Sequence, residues 1–339
     1  MSENVKHYST VCSKIGFALL IFYAAFTLSM VGVVFLVELM KEFIPALTAE
    51  ILYEILSSIA YFLSFSGAAF ILCRMVKEVP TARPIYTTFK INSYVIYLIF
   101  AVIAINFTLA FLNNIMISSL SPGFASDVDS GADMEGRQFT EIVIFFILST
   151  ISTAIVPAIC EEYLFRGAIL TNLLPFGKTT AILGSALLFG LMHQNLFQLL
   201  YTTLMGVIIG CLYVKTKSIW ACMILHFMNN FTTVLEEYLP LLTGVEWIHV
   251  ALDFIIIIVG AISVLLILIK KDKEPSVEEN GSFGVVYERG MDVEECELGL
   301  TQAQKAKKFF AVTIIIYSAI CLFEMAQMLL SLFDISIVI

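Results

Sequence analysis

Long apolar segments recur along the whole chain and are separated by short polar stretches. Most of them are close to the length of about 20 residues that a helix needs to cross the hydrocarbon core of a bilayer. A helix also satisfies all of its backbone hydrogen bonds within one segment, as a bilayer requires. The pattern therefore predicts an all-α, polytopic transmembrane helical bundle of about nine spans, at roughly 15–39, 51–73, 92–114, 140–162, 179–195, 197–214, 218–236, 248–269 and 309–333.

The basic residues between these segments predict the orientation of the bundle. With the N-terminus in the cytoplasm, seventeen of the nineteen lysines and arginines fall in inner segments, and only Lys41 and Arg137 fall outside. Such a bias is typical of helical membrane proteins. The same orientation puts the Ser/Gly/Asp-rich loop 118–137 outside and the carboxylate-rich loop 270–308 inside, and both are expected to be solvated segments.

The composition agrees with a membrane protein and argues against other classes. Hydrophobic residues make up 59% of the 339 positions, charged residues 14%, and the mean hydropathy is +0.93. Soluble domains carry about 25% charged residues. The net charge of −9 gives no reason to expect a nucleic-acid partner. The first apolar segment is too long for a signal peptide and is expected to be a retained span.

The fourth apolar segment ends in two adjacent carboxylates and an arginine, Glu161, Glu162 and Arg166. Charges at membrane depth are costly, so they indicate a functional site by default. Glu162 and Arg166 are four residues apart and share a helix face, where an arginine can hold a carboxylate bidentately. Glu161 points about 100° away from Glu162. We therefore expect one carboxylate to pair with the arginine and the other to be free to act as a general base.

Two later segments carry the other polar candidates. His193 closes the fifth segment one turn after Phe189, and His226 and Asn230 share one face of the seventh. Taken singly, an intramembrane histidine or asparagine can serve only as an interhelical hydrogen-bonding group. Together with Glu161, the set could activate a water and donate hydrogen bonds to an oxyanion. It could also bind a divalent metal through two imidazoles and a carboxylate.

Three short motifs, each ending in a polar residue four positions after its anchor, resemble those of the CAAX protease and bacteriocin-processing family, also called the Abi family. This family includes the type II CAAX prenyl endopeptidases. The resemblance covers about residues 140–236, and the flanking spans match only as generic membrane helices. The motifs are Glu161-Glu162-x-x-x-Arg166, Phe189-x-x-x-His193 and His226-x-x-x-Asn230.

The resemblance implies a role for each polar residue. Glu161 matches the catalytic glutamate that activates water, and His193 matches the histidine that assists it. His226 and Asn230 match the residues that stabilise the oxyanion. Glu162 and Arg166 match the supporting pair of the first motif. The resemblance also implies a metal-free mechanism without a cofactor, with zinc as the open alternative.

The expected function is that of an intramembrane endopeptidase, which hydrolyses a peptide bond of a membrane-associated or lipid-anchored peptide by a glutamate-activated water. The chain then divides into N-terminal membrane helices at 1–138, a protease core at 139–236, and C-terminal membrane helices with a cytoplasmic loop at 237–339. The expected partners are this substrate and the lipid bilayer, and the expected location is a bacterial cell membrane.

Two other functions fit the same residues. One is a non-catalytic immunity or scaffold protein that uses the same fold to bind a peptide toxin. The other is a transporter or proton relay that uses the buried carboxylates.

Straight spans create a conflict for the proposed site. They put Glu161 near the inner face and His193 near the outer face, roughly 25 Å apart at about 1.5 Å per residue. The two side chains could not cooperate across that distance. We therefore expect either that the fourth helix ends within the membrane or that the fifth is tilted and starts deeper inside. The site should be a polar cavity reached from the inner side.

Overall fold

The computed structural model describes residues 3–76, 93–120, 136–270 and 301–331. None of these residues lies in a strand, so the prediction of an all-α protein is confirmed. The helices of the described part are α1 Glu3–Met40, α2 Ala46–Met75, α3 Ser93–Leu120, α4 Phe139–Phe176, α5 Lys178–Met192, α6 Leu196–Thr216, α7 Ile219–Thr243, α8 Ile248–Lys270, α9 Gln302–Phe309 and α10 Val312–Ser331.

Within the described residues, five helices are long and apolar enough to cross a membrane: α1, α2, α4, α6 and α8. The number becomes six if α9 and α10, which meet at a bend of 66°, form one span. The protein is therefore a multi-pass integral membrane protein, but the predicted count of nine spans is not confirmed. At about 1.5 Å per residue, the 15 residues of α5 are too short to cross a hydrocarbon core of about 30 Å.

The two long loops of the prediction lie largely outside the described residues, at 121–135 and 271–300. The described end of the second loop is a helix rather than a solvated coil. Its N-terminus is closed by a capping box, in which the Thr301 side chain accepts from the Gln304 backbone and the Gln304 side chain accepts from the Thr301 backbone. This helix, α9, packs against α1.

Helix α4 is longer than the sequence pattern predicts. The predicted fourth span ends at 162, but α4 continues to Phe176. It closes in a short 3₁₀ turn that contains Pro175, and Gly177 follows at φ 119°. A side chain rarely adopts that backbone conformation, so glycine suits the reversal. The chain then turns back directly into α5.

The reversal at Gly177 brings two distant positions to the same level of the hairpin formed by α4 and α5. Glu161 lies sixteen residues before Gly177, and His193 lies sixteen residues after it. The two arms pack against each other, since the rings of Phe165 and Phe189, each twelve residues from Gly177, are 5.1 Å apart. Straight spans, which would put Glu161 and His193 on opposite faces, therefore do not describe this part of the chain, because the fourth helix continues beyond the predicted end at 162 before the chain reverses.

The second half of α4 is the centre of the bundle. All residues from Leu164 to Leu174 are buried, and α1, α2, α5, α6 and α7 contribute to the same apolar core. The first half of α4, by contrast, leaves several isoleucines exposed, as expected of a surface that contacts lipid: Ile144, Ile147, Ile151 and Ile155.

Small residues allow the close approach of the helices around α4. A Cβ atom added to Gly206 would lie 2.9 Å from the Cα of Ala186, on the neighbouring α5. A Cβ atom added to Gly210 would lie 3.2 Å from Ile182 and 3.3 Å from Leu170. The Gly206–Gly210 pair therefore packs α6 onto α5 and α4, as small residues do in membrane bundles.

Gly206→Ala tests this packing. The new methyl would overlap the backbone of α5, and overpacking of this kind costs about 1–3 kcal/mol. We expect a lower free energy of unfolding in detergent micelles, measured by denaturant titration. Gly32→Ala is the matched control, because nothing lies within 4 Å of a Cβ at that exposed α1 position. Equal stability of the two variants would contradict the packing argument.

Candidate active site

Two breaks in the regular hydrogen bonding of α4 flank the acidic pair. The helix is π-helical at Thr150–Ile155 and again at Tyr163–Leu170. In an α-helix the Thr153 carbonyl would accept from the N–H of residue 157, but Pro157 has no N–H. Asn230 of α7 donates its Nδ2 to this carbonyl instead, at 2.9 Å. One of the predicted site residues thus ties α7 to α4.

A buried ionic network connects α4, α6 and α7. Glu162 and Arg166 are fully buried, and Arg166 Nη1 donates to Glu162 Oε1 at 2.9 Å. Arg166 Nη2 donates to the Gly206 carbonyl at 3.2 Å, and its guanidinium lies 4.5 Å from the centre of the Phe189 ring. The expected pairing of Glu162 with Arg166 is present, and the contacts of Arg166 join α4 to α5 and α6.

His226 lies between the two carboxylates. Its Nδ1 is 2.8 Å from Glu162 Oε1, and its Nε2 is 3.9 Å from Glu161 Oε2. Glu162 Oε1 is also the acceptor for Arg166, so His226 Nδ1 carries a hydrogen and donates a hydrogen bond to it. The contact with Glu162 fixes the ring, and Nε2 is left facing Glu161.

Glu161 is 3% exposed and has two differently placed oxygens. Its Oε1 accepts a hydrogen bond from the hydroxyl of Tyr61, on α2. Its Oε2 is buried without a hydrogen-bond partner. The sequence does not indicate a role for Tyr61, because this residue lies a hundred residues away in an apolar helix and forms no local pattern with the acidic motif. A tyrosine within an apolar span was the only available signal.

His193 stands at the C-terminal end of α5, where the helix gives way to a turn. Its Nδ1 lies 2.9 Å from the Phe189 carbonyl, an acceptor, so Nδ1 donates and Nε2 is not used in this contact. The Phe189 ring packs edge-on against both His193 and His226, at 5.0 and 5.9 Å between ring centres. Phe189 is therefore a common packing partner of the two imidazoles.

A cavity of about 600 Å³ opens next to these side chains. The four predicted catalytic residues all line it, together with Tyr61, although they come from three helices. Its wall also includes several polar residues of α6, α7 and α8: Gln198, Thr202, Thr233, Glu236, His249 and Asp253. Such a cavity has the size of typical small-ligand sites. The described geometry thus brings Glu161, His193, His226 and Asn230 to one polar space.

Comparison with known proteins agrees with this geometry. Residues 143–232 match the family described as type II CAAX prenyl endopeptidase, Rce1-like, and this segment holds all six polar candidates. A protein of Bacillus subtilis (strain 168), named "Putative membrane peptidase YdiL", is 32% identical over 139 residues. The match covers 38% of this chain and only 56% of that relative. No solved structure matches the chain.

The side chains of residues 143–232 do not fit a metal ion in their present arrangement. Among the residues that the structure describes, no group of three His, Cys, Asp or Glu side chains could hold one. His226 directs Nδ1 to Glu162, and its Nε2 is 3.9 Å from Glu161. Zinc–nitrogen and zinc–oxygen bonds are about 2.0–2.2 Å long. A zinc site would therefore require these side chains to rearrange.

Arg166→Met tests whether the buried ion pair holds the bundle. It removes the charge opposite a buried carboxylate, which costs about 3–5 kcal/mol in such pairs. We expect a corresponding loss in the free energy of unfolding in detergent micelles. Lys41→Met is the control, because Lys41 and Glu38 form an exposed pair at 2.5 Å, and exposed pairs contribute at most about 1 kcal/mol. Similar losses in both variants would contradict a structural role of the buried pair.

Proposed function

We propose that the protein is an intramembrane endopeptidase that hydrolyses a peptide bond of a membrane-associated or lipid-anchored substrate. One observation carries the proposal: a buried carboxylate oxygen, Glu161 Oε2, has no hydrogen-bond partner and belongs to a residue that lines a polar cavity with two histidines. An unpaired carboxylate oxygen is an acceptor for a water proton. The Rce1-like match of the surrounding segment supports the same chemistry.

In this mechanism Glu161 acts as the general base. It takes a proton from a water as the water oxygen attacks the scissile carbonyl, with His193 assisting from the opposite arm of the α4–α5 hairpin. The C–N bond then breaks, and the proton held by Glu161 passes to the leaving amine. Glu161 is thus regenerated, and the water supplies both the hydroxyl of the new acid and a proton of the new amine.

The oxyanion formed in the attack requires hydrogen-bond donors. Asn230 Nδ2 uses one hydrogen on the Thr153 carbonyl and has a second one to offer at the cavity wall. His226 can donate from Nε2 when its ring carries a second proton, while Glu162 holds its Nδ1. Donors fixed before the reaction stabilise developing charge without the cost of reorganisation. In this proposal Glu162 and Arg166 do not touch the substrate, and they orient His226.

The position of the cavity favours a membrane-associated substrate. The cavity is lined by residues of α2, α4, α6 and α8, each of which is long and apolar enough to cross a membrane. A membrane-embedded segment or a lipid anchor would keep a peptide at the bilayer, next to this cavity. The proposed substrate class is therefore a lipid-anchored or membrane-inserted peptide.

Glu161→Gln tests the proposed base. The amide keeps the shape of the side chain but cannot take a proton, and general-base catalysis contributes about 100- to 10,000-fold to the rate. We expect a loss of that size in kcat when the variant is reconstituted in liposomes with internally quenched peptides that carry a farnesyl or palmitoyl anchor. Glu324→Gln, which changes a carboxylate hydrogen-bonded to Tyr23 outside the cavity, should retain activity. Full activity of Glu161→Gln would refute the role of Glu161.

A chelator separates the proposed mechanism from the zinc alternative. The water is activated by Glu161 in the proposal, so peptide cleavage by the wild-type protein should be unchanged after treatment with EDTA or 1,10-phenanthroline and gel filtration. A zinc-dependent enzyme would lose activity and recover it when zinc is added back. The measurement is the initial cleavage rate before treatment, after treatment and after zinc addition.

A further inference from the structure

We propose that Tyr61 is a positioning residue for Glu161, a role that rests on the peptidase function proposed above. Tyr61 belongs to α2, outside the segment 143–232 that matches the Rce1-like family. Its hydroxyl donates to Glu161 Oε1, and it is one of the residues that line the cavity. The motif segment alone therefore does not fix the orientation of the carboxylate.

The hydrogen bond selects one orientation of the Glu161 carboxylate. The last torsion of a glutamate side chain is broad, so a carboxylate without a partner samples many orientations. With Oε1 bound to Tyr61, Oε2 is left as the free oxygen, 3.9 Å from Nε2 of His226. A distance of 3.9 Å is too long for a direct hydrogen bond, so Oε2 faces the His226 ring without being bound to it.

The Tyr61 ring is itself held by aromatic packing. Its centre lies 4.5 Å from that of Phe65 and 5.6 Å from that of Phe26, the latter edge-on. Phe22 packs against both of these phenylalanines, at 4.2 Å from Phe65 and 5.9 Å from Phe26. The hydroxyl therefore points from a fixed ring and cannot follow Glu161 if the carboxylate turns. Helices α1 and α2 thus take part in aligning the site.

A second tyrosine–glutamate hydrogen bond provides a matched control. Tyr23 of α1 donates to Glu324 of α10 at 2.9 Å, and neither residue lines the cavity. If tyrosine–glutamate bonds only join helices, loss of either hydroxyl should have the same effect. If Tyr61 positions the base, only its hydroxyl should affect catalysis.

The first experiment compares Tyr61→Phe with Tyr23→Phe in liposomes, with the internally quenched, farnesyl- or palmitoyl-anchored peptides as probes. Misplacement of a catalytic group by about 1 Å can cost about 100-fold in rate. We expect kcat of Tyr61→Phe to fall by about that factor with KM within about twofold of wild type, and Tyr23→Phe to match wild type. Tyr61→His, which keeps a ring with an N–H donor, should recover part of the loss.

The second experiment does not depend on proteolysis. Dicyclohexylcarbodiimide modifies protonated carboxyl groups in membranes, and mass spectrometry gives the labelled fraction of Glu161 at each pH. Loss of a donor to the carboxylate favours its protonated form, so labelling of Tyr61→Phe should persist to higher pH than labelling of wild type. The other titratable and charged groups around Glu161 are unchanged in Tyr61→Phe: Cys160, Glu162, Arg166, His193 and His226.

The two experiments distinguish this inference from the proposed function. If wild type cleaves no probe but the labelling curve of Tyr61→Phe moves to higher pH, the peptidase proposal fails while Tyr61 still positions Glu161. If kcat and the labelling curve of Tyr61→Phe both coincide with wild type, or if Tyr23→Phe changes them equally, the positioning role is overturned.

Discussion

The buried ion pair of Glu162 and Arg166 is the interaction on which the rest of the site depends. Both side chains are fully buried, in the part of the bundle where unpaired charge is most costly. Three neighbours hold the pair: His226 donates to the same carboxylate oxygen, the Gly206 carbonyl accepts from the guanidinium, and the Phe189 ring lies against it. Glu162 Oε2 and Arg166 Nε have no hydrogen-bond partner. The hydrogen bond from His226 to Glu162 also holds the His226 ring at the cavity.

Two adjacent glutamates have different tasks because the helix turns by about 100° between them. Glu162 does not line the cavity, and its Oε1 binds Arg166 and His226 while its Oε2 has no partner. Glu161 points to Tyr61 and the cavity, and one of its oxygens is left without a partner. The Glu161 carboxylate can therefore remain inside the bundle with one oxygen unpaired. Glu162 neutralises the charge of Arg166, and the surrounding helices shield both glutamates from lipid.

The reversal at Gly177 allows Glu161 and His193 to meet beside one cavity. α4 continues beyond the acidic pair, and the short α5 returns over the same distance to end at His193. Small residues on α6 then let this hairpin pack closely. Apolar helices surround this polar cavity, and hydrogen bonds and charges act more strongly in such surroundings than in water.

The sequence by itself determined the helical class, the membrane location, the Glu162–Arg166 pair and the set of polar residues that later line one cavity, because helix periodicity fixes which side chains share a face four residues apart. It did not determine the number of spans or the end of α4, since the buried stretch after Arg166 includes Thr171, Asn172 and Pro175 and reads as less apolar than a span. Only the tertiary structure decided three features: the contact of Tyr61 with Glu161, the donation from Asn230 to Thr153, and the position of Glu161 and His193 at one cavity. These contacts are between separate helices. They depend on where the chain reverses and on how closely the helices pack, and neither is a local property of the chain.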